Sequence, residues 1–118
     1  MSSFAVNIRP HVEAELSAAA RDPQNEFVHL ERAHVLGQAS TREHVRVHWR
    51  MMRWAIRHRD AREFAGQLLR IVGAATKTFM GLVPVGNTGG ANVSAVRPMP
   101  LDPELAAIIA RARGETAT

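Results

Sequence analysis

The chain contains no cysteine among its 118 residues. Disulfide bonds, thiolate metal ligands and thiol nucleophiles are therefore excluded. Lysine is nearly as scarce, since Lys77 is the only one, and arginine supplies almost all of the positive charge. No stretch is long and apolar enough to span a bilayer, and the N-terminal residues lack the apolar run of a secretory signal. We therefore expect a soluble cytoplasmic protein that does not enter membranes.

The basic character of the chain does not predict nucleic-acid binding. The formal net charge is +4, which is ordinary for a soluble domain. Arginines recur at intervals of three and four in the third predicted helix and form one stripe: Arg42, Arg46, Arg50, Arg53 and Arg57. The stripe could contact phosphates, but apart from Trp49 at its flank no aromatic residue interleaves with it, and no recognition-helix pattern appears. We interpret it as a solvated helix face.

Helical periodicity runs through most of the chain, no strand pattern competes with it, and the length suits one domain of residues 1–118. We predict an N-terminal arm over residues 1–9 and a four-helix core over residues 10–80. A loop rich in glycine and proline follows over 81–100, and a last helix lies at 101–114. The expected fold is all-α, with about five helices in antiparallel hairpins.

Helix boundaries follow from capping residues and proline. The first helix is predicted to begin near Pro10, a favoured residue of the first turn. The second is predicted to begin at Pro23, with Asp22 as its N-cap, and to end at Gly37. Capping boxes predict that the third opens with Ser40 and Glu43, the fourth with Asp60 and Glu63; Asp102 and Pro103 start the last helix.

The first two helices are similar to a tetratricopeptide-type hairpin. The spacing of small and large apolar residues carries this likeness, chiefly Ala18, Phe27, Leu30 and Ala33. The chain has no clear internal repeat beyond this. A small helical bundle and a two-hairpin repeat fold both remain compatible with the pattern.

Four potential metal ligands flank the turn between the second and third helices. Glu31 and His34 are three residues apart, and His44 and His48 are four apart, so each pair shares one helical face. The turn is short enough to make the two helices antiparallel. His34 and His44 should then lie at one level, with Glu31 and His48 at the next.

The directions of these side chains favour a site inside the protein. On a helical wheel, His44 and His48 lie opposite the arginine stripe, and Glu31 and His34 lie in the same sector as Leu30. A carboxylate in apolar surroundings needs compensation by a metal, a protonated histidine or an arginine. Arg70 of the fourth helix is the candidate arginine.

Imidazole nitrogen and carboxylate oxygen suit zinc foremost among divalent transition metals, and also nickel, copper or iron. We predict Glu31, His34, His44 and His48 as metal ligands, with Arg70 and Gln38 behind them. The competing interpretation is a buried polar network of histidine, glutamate and arginine without metal.

Other polar features carry weaker predictions. His11 and Glu15 share a face of the first helix and could join the site, whereas His29 and His58 are expected at the surface. Glycines in the 81–100 loop could let backbone amides hold an anion: Gly86, Gly89 and Gly90. The loop lacks the Walker lysine and serine, so we do not expect nucleotide binding.

Several stretches together resemble a bacterial family catalogued as domain of unknown function 3703. They are HLERAHVLGQ (29–38), EHVRVHWRM (43–51), REFAGQLLRI (62–71) and VPVGNTGGANVS with the trailing PMP (83–100). The resemblance implies no established activity. The association of some members with heavy-metal resistance gene clusters agrees with the ligand geometry.

Three functions compete at this point. The leading hypothesis is a small metal-binding protein in metal handling or resistance, as a sensor, buffer or accessory factor. The second is a protein-interaction module without metal, which uses the arginine stripe or the glycine-rich loop. The third is a metal-dependent enzyme, although no catalytic residues can be named and no nucleophile–base constellation is present. A homodimer that shares ligands would also fit.

Overall fold

A computed structural model describes the backbone of residues 3–79 and 100–114, and side chains over 3–72 and 100–114. These residues are helical apart from turns and contain no strand, which confirms the predicted all-α fold. The elements are α1 (Ser3–Arg21), a 3₁₀ turn (Pro23–Asn25), α2 (Glu26–Gly37), α3 (Thr41–Arg57), α4 (Ala61–Phe79) and α5 (Pro103–Ala112).

Each of α1, α2 and α3 packs against the next helix in the chain, and α5 packs against both α1 and α2. Short turns join α1 to α2, α2 to α3 and α3 to α4, which agrees with successive antiparallel hairpins. The core is shared by α1, α2, α3 and α5, and its largest fully buried apolar side chains are Ile8, Val12, Leu30, Leu36, Val47 and Met51.

The first helix begins at Ser3 and contains Pro10 inside it, so the prediction of an arm before Pro10 was wrong for residues 3–9. Burial explains the difference. Ile8 is fully buried and extends the stripe of Val12 and Leu16 by one turn towards the N-terminus. The free energy gained by packing this turn exceeds the cost of the backbone hydrogen bond that Pro10 removes.

Capping predictions had mixed outcomes. Asp22 makes no side-chain capping bond, and the 3₁₀ turn at Pro23–Asn25 delays the start of α2 to Glu26, three residues later than predicted. Asp102 caps α5 by accepting hydrogen bonds from the backbone amides of Glu104 and Leu105, and Asp60 accepts from the amide of Glu63 at 2.9 Å. Ser40 makes no side-chain capping bond, so the capping box predicted for α3 does not form. Its other member, Glu43, is buried instead.

The turn between α2 and α3 brings the two helices close together. The amide of Ser40 donates to the carbonyl of Gly37 at 2.9 Å. A Cβ atom added to Gly37 would lie 2.8 Å from Cβ of Glu43 and 3.3 Å from Cγ2 of Val12. Glycine is therefore required here by close packing, and it ends α2 as predicted.

The arginine stripe of α3 is not uniformly solvated. Arg46 donates to Glu13 on α1 at 2.5 Å and lies 3.7 Å from Glu43. Arg57 donates to Glu26 at the start of α2. These two arginines tie α3 to the preceding helices, so part of the predicted solvated face is structural.

Almost all of the predicted 81–100 loop lies outside the described residues, and so do the three glycines considered for anion binding, Gly86, Gly89 and Gly90. No helix in the described part of the chain combines the length and the apolar character needed to cross a membrane.

Candidate metal centre

Three histidine side chains meet between α2 and α3. Nε2 of His34 lies 3.0 Å from Nε2 of His44 and 3.1 Å from Nε2 of His48. The third side of the triangle, between His44 and His48, is also 3.1 Å. We refer to these three side chains as the histidine triangle. Such an arrangement can supply three imidazole nitrogens to one ion or share protons among three rings.

The helices place the triangle by simple geometry. His44 and His48 are one turn apart on α3, and His34 of α2 lies almost equally far from both, at the level between them. All three side chains are buried, with exposed fractions of 3% for His34, 7% for His44 and 2% for His48. The sequence-based prediction that these histidines point inwards therefore agrees with the structure.

A hydrogen-bonded chain leads from the triangle to α4. Nδ1 of His48 lies 2.5 Å from Oε1 of Gln67, and Nε2 of Gln67 donates to Oε2 of Glu63 at 2.5 Å. Gln67 is fully buried and Glu63 nearly so. We call this chain, made of Glu63, Gln67 and His48, the α4 relay.

The α4 relay determines which nitrogen of His48 carries the proton. A carboxylate can only accept, so Gln67 must turn its amide group towards Glu63 and its carbonyl towards His48. Nδ1 of His48 therefore donates to that carbonyl. In the neutral ring Nε2 then carries a lone pair, and this lone pair belongs to the histidine triangle.

Burial keeps the His48 ring neutral at physiological pH. It lowers the pKa of His48 from 6.5 to about 4, the hydrogen bond to Gln67 acts in the opposite direction, and the positive charge of Arg70 lowers the pKa further. A neutral imidazole is the form that coordinates metal ions.

Glu31 stands apart from the other three predicted ligands. Among the described residues, the potential ligands whose donor atoms lie within 4.8 Å of one another are the three histidines, without a carboxylate. Glu31 is half-buried and lies three residues, about 4.5 Å along the helix, beyond His34. His34 lies almost equally far from His44 and His48, so the predicted pairing of His34 with His44 at one level and of Glu31 with His48 at the next does not describe the triangle.

The remaining predicted partners are distributed around the fold. Arg70 is half-buried and close enough to influence His48, and Gln38 is buried. His11 is exposed on α1, outside the histidine triangle. His29 is partly buried and lies 2.9 Å from Glu15. Neither His11 nor Glu15, the pair on α1 that was predicted to join the site, belongs to the histidine triangle.

Sequence patterns did not lead to Gln67, nor did they assign Glu63 to the site. A signal was present, because the two residues are four apart and share a face of α4. Phe64 and Ile71 lie on the same side of α4, and apolar neighbours on one side of a helix indicate that this side is buried. Its contact with His48 depends on how α4 passes α3, which local periodicity does not specify.

Comparisons with known proteins identify a family and assign no function to it. No curated protein and no solved structure matches the chain. The tetratricopeptide likeness therefore stays a prediction. One family model, described as a protein of unknown function, matches residues 6–109, which includes the histidine triangle and the α4 relay. The chain thus belongs to the DUF3703 family.

Proposed function

We propose that this protein binds one divalent transition-metal ion, zinc foremost, through Nε2 of His34, His44 and His48, and that it serves in cytoplasmic metal handling. The observation that carries the proposal is the mutual distance of 3.0–3.1 Å among three buried imidazole nitrogens. Nickel, copper and iron accept the same ligands, so the cell's metal supply would decide among them.

The spacing of the nitrogens suits such an ion. Zinc binds imidazole nitrogen at about 2.0–2.1 Å, and tetrahedral angles would separate the nitrogens by about 3.3–3.4 Å. The triangle would need to expand by only about 0.3 Å. In that tetrahedral arrangement the ion would lie about 0.7 Å outside the plane of the three nitrogens, with one coordination position left for a further donor.

Proton counting separates the metal site from a metal-free polar network. The contact of Nδ1 with the Gln67 carbonyl favours a ring proton on Nδ1 of His48, and Nε2 of His48 then carries a lone pair. A metal-free network of hydrogen bonds would require at least one of His34 and His44 to carry its proton on Nε2. Metal binding requires lone pairs there. Three lone pairs at this separation repel one another unless a cation lies among them, so the two states differ in a measurable way.

The direct test is elemental analysis of the untagged protein after zinc reconstitution and dialysis at neutral pH. We expect one zinc per chain in the parent and little in the His44→Gln variant. His11→Gln is the matched control, since it removes an exposed histidine of α1 and should retain the metal. Circular dichroism of each variant establishes that it is folded.

Absence of stoichiometric zinc, nickel, copper and iron in the folded parent would contradict the proposal. Equal zinc in the parent and the His44→Gln variant would also contradict it, because the ion would then be bound elsewhere. In either case the buried polar network becomes the preferred interpretation of the triangle.

A protein-interaction role is the second candidate, and one specific observation favours it. Large apolar side chains of α3 and α4 are exposed: Trp49, Ile56, Leu68, Leu69 and Val72. Contact surfaces often use such patches. A partner that is retained by the His44→Gln variant and lost on Leu69→Ser substitution would support this role independently of metal.

A further inference from the structure

The α4 relay joins three buried side chains into one polar chain, and only its last member belongs to the histidine triangle. Its two hydrogen bonds, each 2.5 Å long, run from His48 to Gln67 and from Gln67 to Glu63. Burying a glutamate and a glutamine is costly unless their polar atoms are well paired. Gln67 contacts His48 at Nδ1, whereas the triangle is formed by the Nε2 atoms, so the relay acts on the triangle through His48.

We infer that Glu63, acting through Gln67, is a positioning residue that fixes His48 as the Nδ1–H tautomer and aims its Nε2 lone pair into the triangle. This inference rests on the proposed metal site for its purpose. The tautomer itself is a property of the metal-free protein. It can be measured whether or not metal binds.

Glu63 has this effect because it is the only relay member with a fixed polarity. Glutamine can present either its carbonyl or its amide group to a neighbour, and histidine can carry its proton on either nitrogen. The carboxylate of Glu63 can only accept a hydrogen bond, so it fixes which end of the Gln67 amide points towards it. The other end of that amide then fixes which nitrogen of His48 carries the proton. Without it, Gln67 could turn its amide group towards His48, and the proton would then move to Nε2 of that ring.

The decisive substitution is Glu63→Gln, which keeps the size of the side chain and removes the fixed polarity. Two amides in sequence can point either way, so His48 should populate the Nε2–H tautomer. A proton on Nε2 competes with a metal ion for the same lone pair. We expect zinc affinity to fall by about 10- to 100-fold, as for other residues that orient a metal-bound histidine.

The double variant Glu63→Gln/Gln67→Glu restores the polarity with the same two side chains exchanged. Its carboxylate at position 67 can only accept from Nδ1–H of His48, and the amide at position 63 can donate to that carboxylate. We therefore expect the parental tautomer and recovery of zinc affinity. A merely structural role of Glu63 would not predict recovery when the two residues are exchanged.

The measurement is the ¹⁵N chemical shift of both ring nitrogens of His48 in chelator-treated protein at fixed neutral pH, followed by competition titration with zinc. Glu104→Gln is the matched control, because Glu104 is an exposed glutamate on α5 and should change neither quantity. Thermal unfolding of every variant reports whether it is folded.

Nδ1–H in the parent, loss of this preference in Glu63→Gln and its return in the double variant would support the inference. An unchanged tautomer in Glu63→Gln would overturn it, as would weakened zinc binding that the double variant fails to restore. If the parent binds no metal, the proposed function fails, and the tautomers of the three proteins still decide this inference.

Discussion

At the scale of single residues, the most consequential feature is a histidine that is buried without a charge. His48 is 2% exposed, and burial is the main reason that its pKa is lowered from 6.5 to about 4. The ring therefore differs in protonation between the folded and the unfolded chain over that interval. This difference links the stability of the metal-free protein to pH.

We expect the metal-free protein to lose stability as the pH falls from 6.5 to about 4. The unfolded chain binds the proton more readily in this interval, so acid favours unfolding, and the contribution is fully present above pH 6.5. The lowered pKa corresponds to at most about 3 kcal/mol. Urea unfolding of chelator-treated protein at several pH values measures it.

The His48→Gln variant isolates this contribution from the carboxylates that titrate in the same range. It should lose less stability than the parent between neutral pH and pH 4. Parallel pH dependences of parent and variant would mean that His48 keeps an ordinary pKa in the folded chain.

Glu31 is the residue for which the structure departs most from the metal-ligand role that the sequence spacing predicts. Its spacing from His34 predicts a shared face, yet no carboxylate belongs to the group of donor atoms within 4.8 Å. We therefore expect Glu31→Gln to weaken zinc binding by no more than about tenfold, the lower end for a residue outside the ligand set. His34→Gln should abolish stoichiometric binding.

Zinc competition titrations of the two variants beside the parent measure this difference. Loss of stoichiometric zinc in a folded Glu31→Gln variant would restore the four-ligand interpretation. It would also imply that α2 adjusts when the ion binds.

At the scale of helices, α3 contributes to two separate regions. One face carries two histidines of the triangle, and the arginine stripe contacts acidic residues of α1 and α2. Glu43 lies between these regions, 1% exposed, and its carboxylate lies 3.5 Å from Arg9 and 3.7 Å from Arg46. A buried carboxylate with such partners depends on their charges.

We predict that Arg46→Gln destabilises the protein by about 2 kcal/mol, because it removes one of the charges that compensate Glu43 and also the pairing with Glu13. Arg53→Gln is the matched control on the same helix. Arg53 is exposed, so its substitution should change stability by less than about 0.5 kcal/mol.

Urea unfolding midpoints of the two variants and the parent provide the comparison. Equal, small effects of both substitutions would mean that Arg46 does not stabilise the fold, and that the stripe is the solvated face that its periodicity predicts.

At the scale of the whole molecule, local rules account for the histidine triangle better than for its surroundings. Spacing of four places His44 and His48 on one face, and the turn at Gly37 returns the chain so that His34 meets them. Gln67 could not be assigned this way, because its contact joins residues 19 apart and depends on the packing of α4 on α3. The early start of α1 was missed for a similar reason, since burial of Ile8 is a tertiary effect.

The triangle and the α4 relay together connect three helices. His34 belongs to α2, His44 and His48 to α3, and Gln67 to α4. An ion bound only by the folded arrangement must therefore stabilise the fold as a unit. At a free zinc concentration about 100 times Kd, the stabilisation is about 2.7 kcal/mol, which corresponds to a rise in Tm of roughly 10 °C for a domain of this size.

Calorimetry of the parent with zinc and with excess chelator measures this rise, and chelator should reverse it. The His44→Gln variant should unfold at the same temperature in both conditions, because it lacks one nitrogen of the triangle. A zinc-dependent rise of similar size in that variant would place the ion outside the triangle. A parent that binds zinc without any rise would mean that the unfolded chain binds the ion equally well, and the site would then not be organised by the packing of α2, α3 and α4.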